Sequence, residues 1–213
     1  MGTLLTIAGV PVRQTFIGEQ ELVSWTAGMM IDADGCPIAY HPIEKKGLEA
    51  HSSGGYPNGG WRSILAAKTK TSPPYIQREG IDPNPGYFVS MTSYHHKNKD
   101  GSKKNDWDTT KHVDANLVPY CVVPPQVRKK AKGIVLGCYV KMSYKNKEII
   151  GVVADIGPKN KIGEASICAA RLLGIPSNPR RGGIESKLVN YTIYPGKTVE
   201  IDGVKYELQP VGS

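Results

Sequence analysis

Short apolar runs separated by turn residues are the main pattern of this chain. The run Leu22 to Ile31 is followed by Asp32-Ala33-Asp34-Gly35, which predicts a strand, a tight turn and a second strand over Cys36 to Tyr40. Met1 to Val12 is interpreted as a first strand. Four more strands are predicted by runs rich in aliphatic and aromatic residues, at 86–93, 117–123, 133–144 and 148–154.

The last third of the chain combines a helix with further strands. Glu164 to Leu173 is rich in helix formers and is followed by Gly174 at a typical helix-terminating position, so we predict a helix there. Strands are predicted at 188–194, 197–201 and 204–210, with Asp202-Gly203 as a hairpin turn. The whole pattern favours a mainly β protein.

Length and composition are typical of one domain, which we expect to cover residues 1–213. The 24 Gly and 16 Pro residues indicate many tight turns and agree with the β pattern. No apolar run approaches the ~20 residues that cross a bilayer, so no membrane partner is expected. The formal charge of +8 favours anionic partners such as nucleic acid, teichoic acid or an acidic glycan.

The four cysteines contain no C-x-x-C pair and no His at zinc-finger spacing, which favours buried thiols. Their spacing leaves one or two disulfides open. We expect no metal and no other cofactor. The N-terminus lacks the basic start, long apolar run and cleavage site of a signal peptide.

Asp155 and Glu164 are the candidate catalytic residues. The first follows a predicted strand and the second begins the predicted helix, so a connector of eight residues can bring both carboxyls to one cleft wall. Glycosidic cleavage needs one protonated carboxyl for the leaving oxygen and one carboxylate for water or for the sugar. On spacing alone we favour the structural alternative, in which Glu164 stabilises the helix N-terminus and Asp155 caps a turn.

Three blocks of the sequence resemble the chitosanases of glycoside hydrolase family 75, in the same order. Gly151-Val-Val-Ala-Asp155 with Gly163-Glu-Ala-Ser166 resembles the catalytic block, and 30–35 and 118–124 resemble two further blocks. The resemblance implies an endo-acting, inverting enzyme that cleaves β-1,4 linkages of chitosan, with Asp155 and Glu164 as its catalytic pair. A polysaccharide substrate implies a secreted or extracellular site of action, although no signal peptide is visible.

Residues 153–158, with Gly163-Glu-Ala-Ser166 and the following 169–174, are also similar to the signature of rare lipoprotein A. That family consists of double-psi β-barrel lytic transglycosylases of peptidoglycan. The resemblance implies a six-stranded double-psi β-barrel enlarged by long loops, with one or two short helices. Two positions depart from the signature, because Ile156 replaces its usual Arg and Glu164 replaces an Asp.

The roles within the pair are predicted from two opposing arguments. A helix N-terminus lowers the pKa of a carboxyl, which favours Glu164 as the base. The barrel cellulases that this fold resembles have their acid where Glu164 falls, and we therefore assign Glu164 as acid and Asp155 as base. Asp32 and Asp34 are alternative bases and candidate substrate contacts, or turn residues that bond their own backbone.

Four further residues are candidate sugar contacts: Tyr56, Asn58, Trp61 and Tyr87. Their alternative interpretation is core packing for the aromatic residues and a turn for Asn58. His95 and His96 are interpreted as residues of a charged loop, with a general base or metal site as the alternative. Arg180 and Arg181 are interpreted as an exposed basic turn, with contact to an anionic glycan as the alternative.

Three function hypotheses follow. A chitosanase accounts for the carboxylate pair, but its polycationic substrate needs acids gathered locally on a basic protein. A peptidoglycan-cleaving muramidase or lytic transglycosylase fits the basic charge and the barrel signature. A non-catalytic module for glycan or nucleic acid leaves the pair unused, so we expect a polysaccharide partner and no nucleic acid.

Overall fold

The structure is a computed structural model that describes residues 2–210. Ten strands are found in this part of the chain: β1 (Gly2–Ile7), β2 (Val10–Ile17), β3 (Gln20–Asp32), β4 (Tyr120–Val123), β5 (Tyr139–Tyr144), β6 (Lys147–Ile156), β7 (Glu164–Ser166), β8 (Ile184–Tyr194), β9 (Val199–Ile201) and β10 (Val204–Tyr206). The α-helices are α1 (Pro125–Lys130) and α2 (Ile167–Leu173). Three single 3₁₀ turns lie at Glu44–Lys46, Trp61–Ser63 and Thr109–Lys111.

Six strands close into a barrel in the order β3-β7-β4-β6-β5-β8, with β8 pairing back to β3. The pairs β3·β7 and β4·β6 are parallel, and the other four pairs are antiparallel. The β1–β2 hairpin extends the sheet beyond β3. The predicted mainly β fold, a six-stranded barrel with long loops and few short helices, is confirmed.

The barrel interior is filled by alternate residues of its strands, as the period of two requires. Along β3, side chains at every second position from Val23 to Ile31 are buried. Trp25 of β3 stacks on Tyr191 of β8, with ring centroids 5.4 Å apart. The same hydrophobic core continues into the long segment between β3 and β4, through residues such as Tyr40 and Phe88.

Several predicted strands are wrong because the chain turns where a strand was expected. Residues 36–40 form turns, and 86–93 contributes only isolated bridges, Leu65 with Ser90 and Ile76 with Phe88. The first predicted strand is a hairpin, since Ala8 and Gly9 both have positive φ and turn the chain between β1 and β2. Met1 lies outside the described residues.

The predicted helix over Glu164 to Leu173 is also partly wrong. Glu164 to Ser166 is strand β7, paired in parallel with Met30 to Asp32, and the helix begins only at Ile167. Ser166 caps it by accepting a hydrogen bond from the Ala169 backbone N–H at 3.1 Å. Its C-terminal end agrees with the prediction, because Gly174 follows in the left-handed conformation.

The cysteines agree with the favoured interpretation: Cys36, Cys121, Cys138 and Cys168 are all free and buried. Within residues 2–210, neither helix has the length and apolar character that a membrane span requires.

Candidate active site

Asp155 and Glu164 lie on two barrel strands that are separated only by β4. Val122 of β4 pairs with Asp155 on one edge and with Glu164 on the other. Neighbouring strands are ~4.8 Å apart, so the two Cα atoms are separated by two strand spacings, roughly 9–10 Å. Residues in register project to the same face of a sheet, and both carboxyls line one cavity of about 480 Å³.

This cavity continues into a second one of about 770 Å³. The two form a single groove, because five residues line both: Ile31, Glu49, Ser53, Lys161 and Glu164. We call the part lined by Asp32, Asp34 and Asp155 the Asp155 side. The part lined by Arg181 and Lys187 is called the Arg181 side. Glu164 therefore lies at the junction of the two sides.

Asp155 is held by Ser93, which comes from the long segment between β3 and β4. The Ser93 backbone N–H donates to Asp155 Oδ1 at 2.8 Å, and the Ser93 hydroxyl donates to the same oxygen. Burial raises the pKa of Asp155, and the two hydrogen bonds from Ser93 oppose that rise because they favour the charged form. Ser93 therefore stabilises Asp155 as a carboxylate.

Glu164 has a different environment. Burial, followed by the negative charge of Asp155, raises the pKa of Glu164 to about 7, and Lys161 opposes this rise. Within residues 2–210 no hydrogen bond is made to its carboxyl, which leaves that group available to a ligand. Gly157 makes room for it, since a Cβ there would lie 2.9 Å from Val122 Cγ1 and 3.4 Å from Glu164 Oε2.

Asp32 and Asp34 join the pair on the Asp155 side. Oxygens of Asp32, Asp34 and Asp155 all lie within 4.8 Å of one another. Asp34 Oδ1 accepts hydrogen bonds from the Tyr40 hydroxyl at 3.0 Å and from Ser90 Oγ at 3.2 Å. Burial, with repulsion from neighbouring carboxylates, raises the pKa of Asp32 and of Asp34 well above the ordinary value.

The two aspartates also test the turn interpretation. Asp32 Oδ1 accepts from the Asp34 backbone N–H at 2.9 Å, so Asp32 does bond the backbone of its own turn. The Asp34 carboxyl is instead bonded by Tyr40 and Ser90 side chains from other parts of the chain. Both residues therefore line the groove, but only Asp32 makes the local bond expected of a turn residue.

Carboxylate oxygens are the ligands that hard divalent cations prefer, and the cluster of Asp32, Asp34 and Asp155 is a donor set of that type. Either a bound cation or protonation relieves the repulsion among these carboxylates, and the raised pKa values of the three groups agree with protonation. The expectation of no metal stays a prediction.

The four predicted sugar contacts are not among the residues that line the groove. Trp61 is buried in the hydrophobic core and Tyr56 packs against it, with its ring 5.0 Å from that of Phe88. The Tyr87 hydroxyl donates to the Lys46 backbone carbonyl at 3.2 Å. Asn58 lies in an exposed turn. Their role as sugar contacts stays a prediction.

Residues that the sequence did not suggest complete the groove. Ser93, Tyr40 and Glu49 are far from the acid pair in sequence and have no local motif, so only the fold brings them there. Lys161 lies between the two acids in the chain and could have been inferred from that position. His95 and His96 line a separate cavity of about 380 Å³ with several lysines.

The two arginines of the turn, Arg180 and Arg181, have different surroundings. Arg180 donates to the backbone carbonyls of Glu44, Gly47, Leu48 and Glu49, which ties a loop to the barrel. Arg181 lines the groove. No protein-family model and no curated protein matches the sequence.

Proposed function

We propose that the protein is an endo-acting, inverting glycoside hydrolase that cleaves β-1,4 linkages of an amino-sugar polysaccharide, with chitosan as the substrate by resemblance. The observation that carries the proposal is the position of Asp155 and Glu164 in register across β4, facing one groove. We further propose that it acts outside the cell, where such polymers are found.

Glu164 is the general acid in this mechanism. Its pKa of about 7 keeps a large share of its carboxyl protonated near neutral pH, and no hydrogen bond from the described residues 2–210 competes for the carboxyl. It donates its proton to the glycosidic oxygen as the bond to the leaving sugar breaks. Glu164 lies in β7 and not at a helix N-terminus, so the helix dipole that would favour it as the base does not act on it as expected.

Asp155 is the general base. The two hydrogen bonds from Ser93 favour its ionised form, which accepts a proton from a water molecule. That water attacks the anomeric carbon from the face opposite to the leaving group. An inverting mechanism needs ~6.5–9.5 Å between the carboxyls to admit the water. The separation of β6 from β7 by two strand spacings, roughly 9–10 Å, is compatible with such a gap.

The distribution of charge in the groove supports an amino-sugar substrate. Five acids line the Asp155 side, namely Asp32, Asp34, Glu49, Asp155 and Glu164. Lys161 is the one cationic residue that lines this side within residues 2–210. Burial and mutual repulsion raise the pKa values of these carboxyls, and a protonated amine bound among them favours their ionised form, even though the whole chain carries +8.

Cleavage of peptidoglycan is the second candidate. It is favoured by Arg181 and Lys187 on the other side of the groove and by the similarity to the rare lipoprotein A signature. Glu164 is then the single acid of a muramidase or lytic transglycosylase. A non-catalytic binding module leaves the acid pair and its tuned environment without a role.

The test is product analysis by mass spectrometry after incubation with chitosan, chitin and purified sacculi. Soluble glucosamine oligomers from chitosan, absent with the Asp155→Asn, Glu164→Gln double variant, support the proposal. Muropeptides from sacculi without chitosan products favour the second candidate. No products from any of the three polymers would contradict both.

A further inference from the structure

The character of the charge changes along the groove. The Asp155 side has five acids and one lysine. The Arg181 side has three cations, Lys161, Arg181 and Lys187, against Glu49, Glu164 and Glu185. Acids therefore outnumber cations five to one on the Asp155 side, whereas the two are equal in number on the Arg181 side. The two halves therefore present different surfaces to a bound polymer.

Arg181 is the cation best placed to bind a ligand. Its guanidinium makes no hydrogen bond or ion pair within residues 2–210, whereas that of Arg180 donates through Nε and Nη2 to backbone carbonyls. Lys187 uses its ammonium to donate to the Gly9 carbonyl at 3.0 Å and retains two further protons for donation. A guanidinium with free donors matches the planar, bidentate geometry of a carboxylate.

The turn that carries Arg181 has a fixed conformation. A Cβ on Gly182 would lie 2.2 Å from the Pro176 carbonyl oxygen, and one on Gly183 would lie 2.2 Å from that of Met29. Gly183 also has a φ of +85°, which disfavours any other residue. The turn thus packs directly on the backbone of β3, and Arg181 is presented to the groove from a rigid base.

The proposed mechanism fixes which sugar occupies which side. The sugar whose anomeric carbon is attacked must lie between the base Asp155 and the acid Glu164, on the Asp155 side. The leaving sugar lies beyond Glu164, on the Arg181 side. This step rests on the function proposed above.

We infer that the groove binds a glycan in which a sugar with a free amine is joined by a β-1,4 bond to a sugar with a carboxylate, and that the bond between them is cleaved. Water adds its hydroxyl to the anomeric carbon of the amino sugar. Its second proton passes to Asp155, and the proton of Glu164 goes to the leaving oxygen. The new reducing end is therefore the amino sugar, and the new non-reducing end carries the carboxylate.

Two natural polymers contain this junction after removal of their N-acetyl groups. Glucosamine is β-1,4-linked to muramic acid in glycan strands of peptidoglycan and to glucuronic acid in hyaluronan. Oligosaccharides of both types, with a chitosan oligomer of equal length as reference, are the probes. The two acidic probes distinguish a lactyl carboxylate from a uronic carboxylate.

Binding is measured by calorimetry with the Glu164→Gln full-length variant, which is expected not to turn the probes over. We expect at least one acidic probe to bind more tightly than the chitosan oligomer. Adding Arg181→Gln is expected to lower the affinity for that probe by roughly fivefold, the scale of an exposed charge pair. The affinity for the chitosan oligomer should not fall. Arg13→Gln is the matched control, since Arg13 is exposed on β2 and does not line the groove.

Three results would overturn the inference. The first is an affinity for both acidic probes that is no higher than that for the chitosan oligomer, and the second is no loss of acidic-probe affinity on Arg181→Gln. The third, with active protein, is a product whose reducing end carries the carboxylate. Hydrolysis of chitosan alongside any of these results leaves the proposed function standing. Preferential binding of an acidic probe without hydrolysis of any probe supports the subsite and contradicts the proposed function.

Discussion

Asp155 and Glu164 occupy one level of the barrel wall, each paired with Val122 from opposite edges of β4. The two residues are nine positions apart in the sequence. The sheet brings them to strands on either side of β4, two strand spacings from each other. The connector 157–163 has little influence on this spacing, because the register of three strands determines it. The carboxyl pair is therefore a property of the barrel and not of a local motif.

Substitution of either acid by its amide is expected to remove activity without unfolding the protein. Asp155→Asn and Glu164→Gln should each lower kcat on chitosan by about two orders of magnitude or more, the scale of general acid–base catalysis. Circular dichroism should be unchanged. Glu200→Gln, at an exposed position of β9, is the control. Full activity in either amide variant would exclude that residue from the mechanism.

The pH profile is expected to report the protonation of Glu164. Its pKa of about 7 means that the acid form is lost as the pH rises through that value, so kcat should fall there. Lys161 lowers the pKa of Glu164, and Lys161→Gln should therefore move this limb to higher pH. A limb that stays in place or moves to lower pH would argue against Glu164 as the acid.

The same group is expected to affect stability. The folded state raises the pKa of Glu164 from 4.5 to about 7 and so binds a proton that the unfolded chain releases. The free energy of unfolding should fall as the pH rises from about 4.5 to about 7, by on the order of 3 kcal/mol. Glu164→Gln should raise Tm by several degrees at pH 8 and change it little at pH 5. A Tm gain at pH 5 but not at pH 8 would contradict the predicted direction of the change in stability with pH.

Ser93 is expected to act as a positioning residue for Asp155. Ser93→Ala removes the hydroxyl donor and leaves the backbone N–H, so the pKa of Asp155 should rise. The acidic limb of the pH profile should move to higher pH, with kcat lowered and KM little changed. Ser93→Thr keeps a hydroxyl donor, so its acidic limb and kcat should stay close to those of the wild type. An unchanged acidic limb in Ser93→Ala would show that Ser93 does not tune the base.

The sequence predicted those parts of the fold that local patterns control. The apolar run of β6 leads directly to Asp155, and Gly174 ends the helix because it adopts the left-handed conformation. The sequence predicts a helix from Glu164 because the run to Leu173 is rich in helix formers. Pairing with Met30 to Asp32, which is distant in sequence, overrides that preference.

The rest of the site could not be predicted for the same physical reason. Ser93 and Glu49 reach the groove only because the segment between β3 and β4 packs against the barrel strands. The sequence predicts Tyr56 and Trp61 as sugar contacts, but packing of the same segment buries Trp61 in the core and places Tyr56 against it. Such placement depends on tertiary contacts, for which one sequence provides no periodic signal.

The most direct test of the central claim is the anomeric configuration of the first product. Proton NMR during hydrolysis of a chitosan hexamer is predicted to show the α-anomer first and the β-anomer only after mutarotation, since Asp155 activates a water on the face opposite Glu164. Initial formation of the β-anomer, or of a 1,6-anhydro end, would contradict the proposed roles of Asp155 and Glu164.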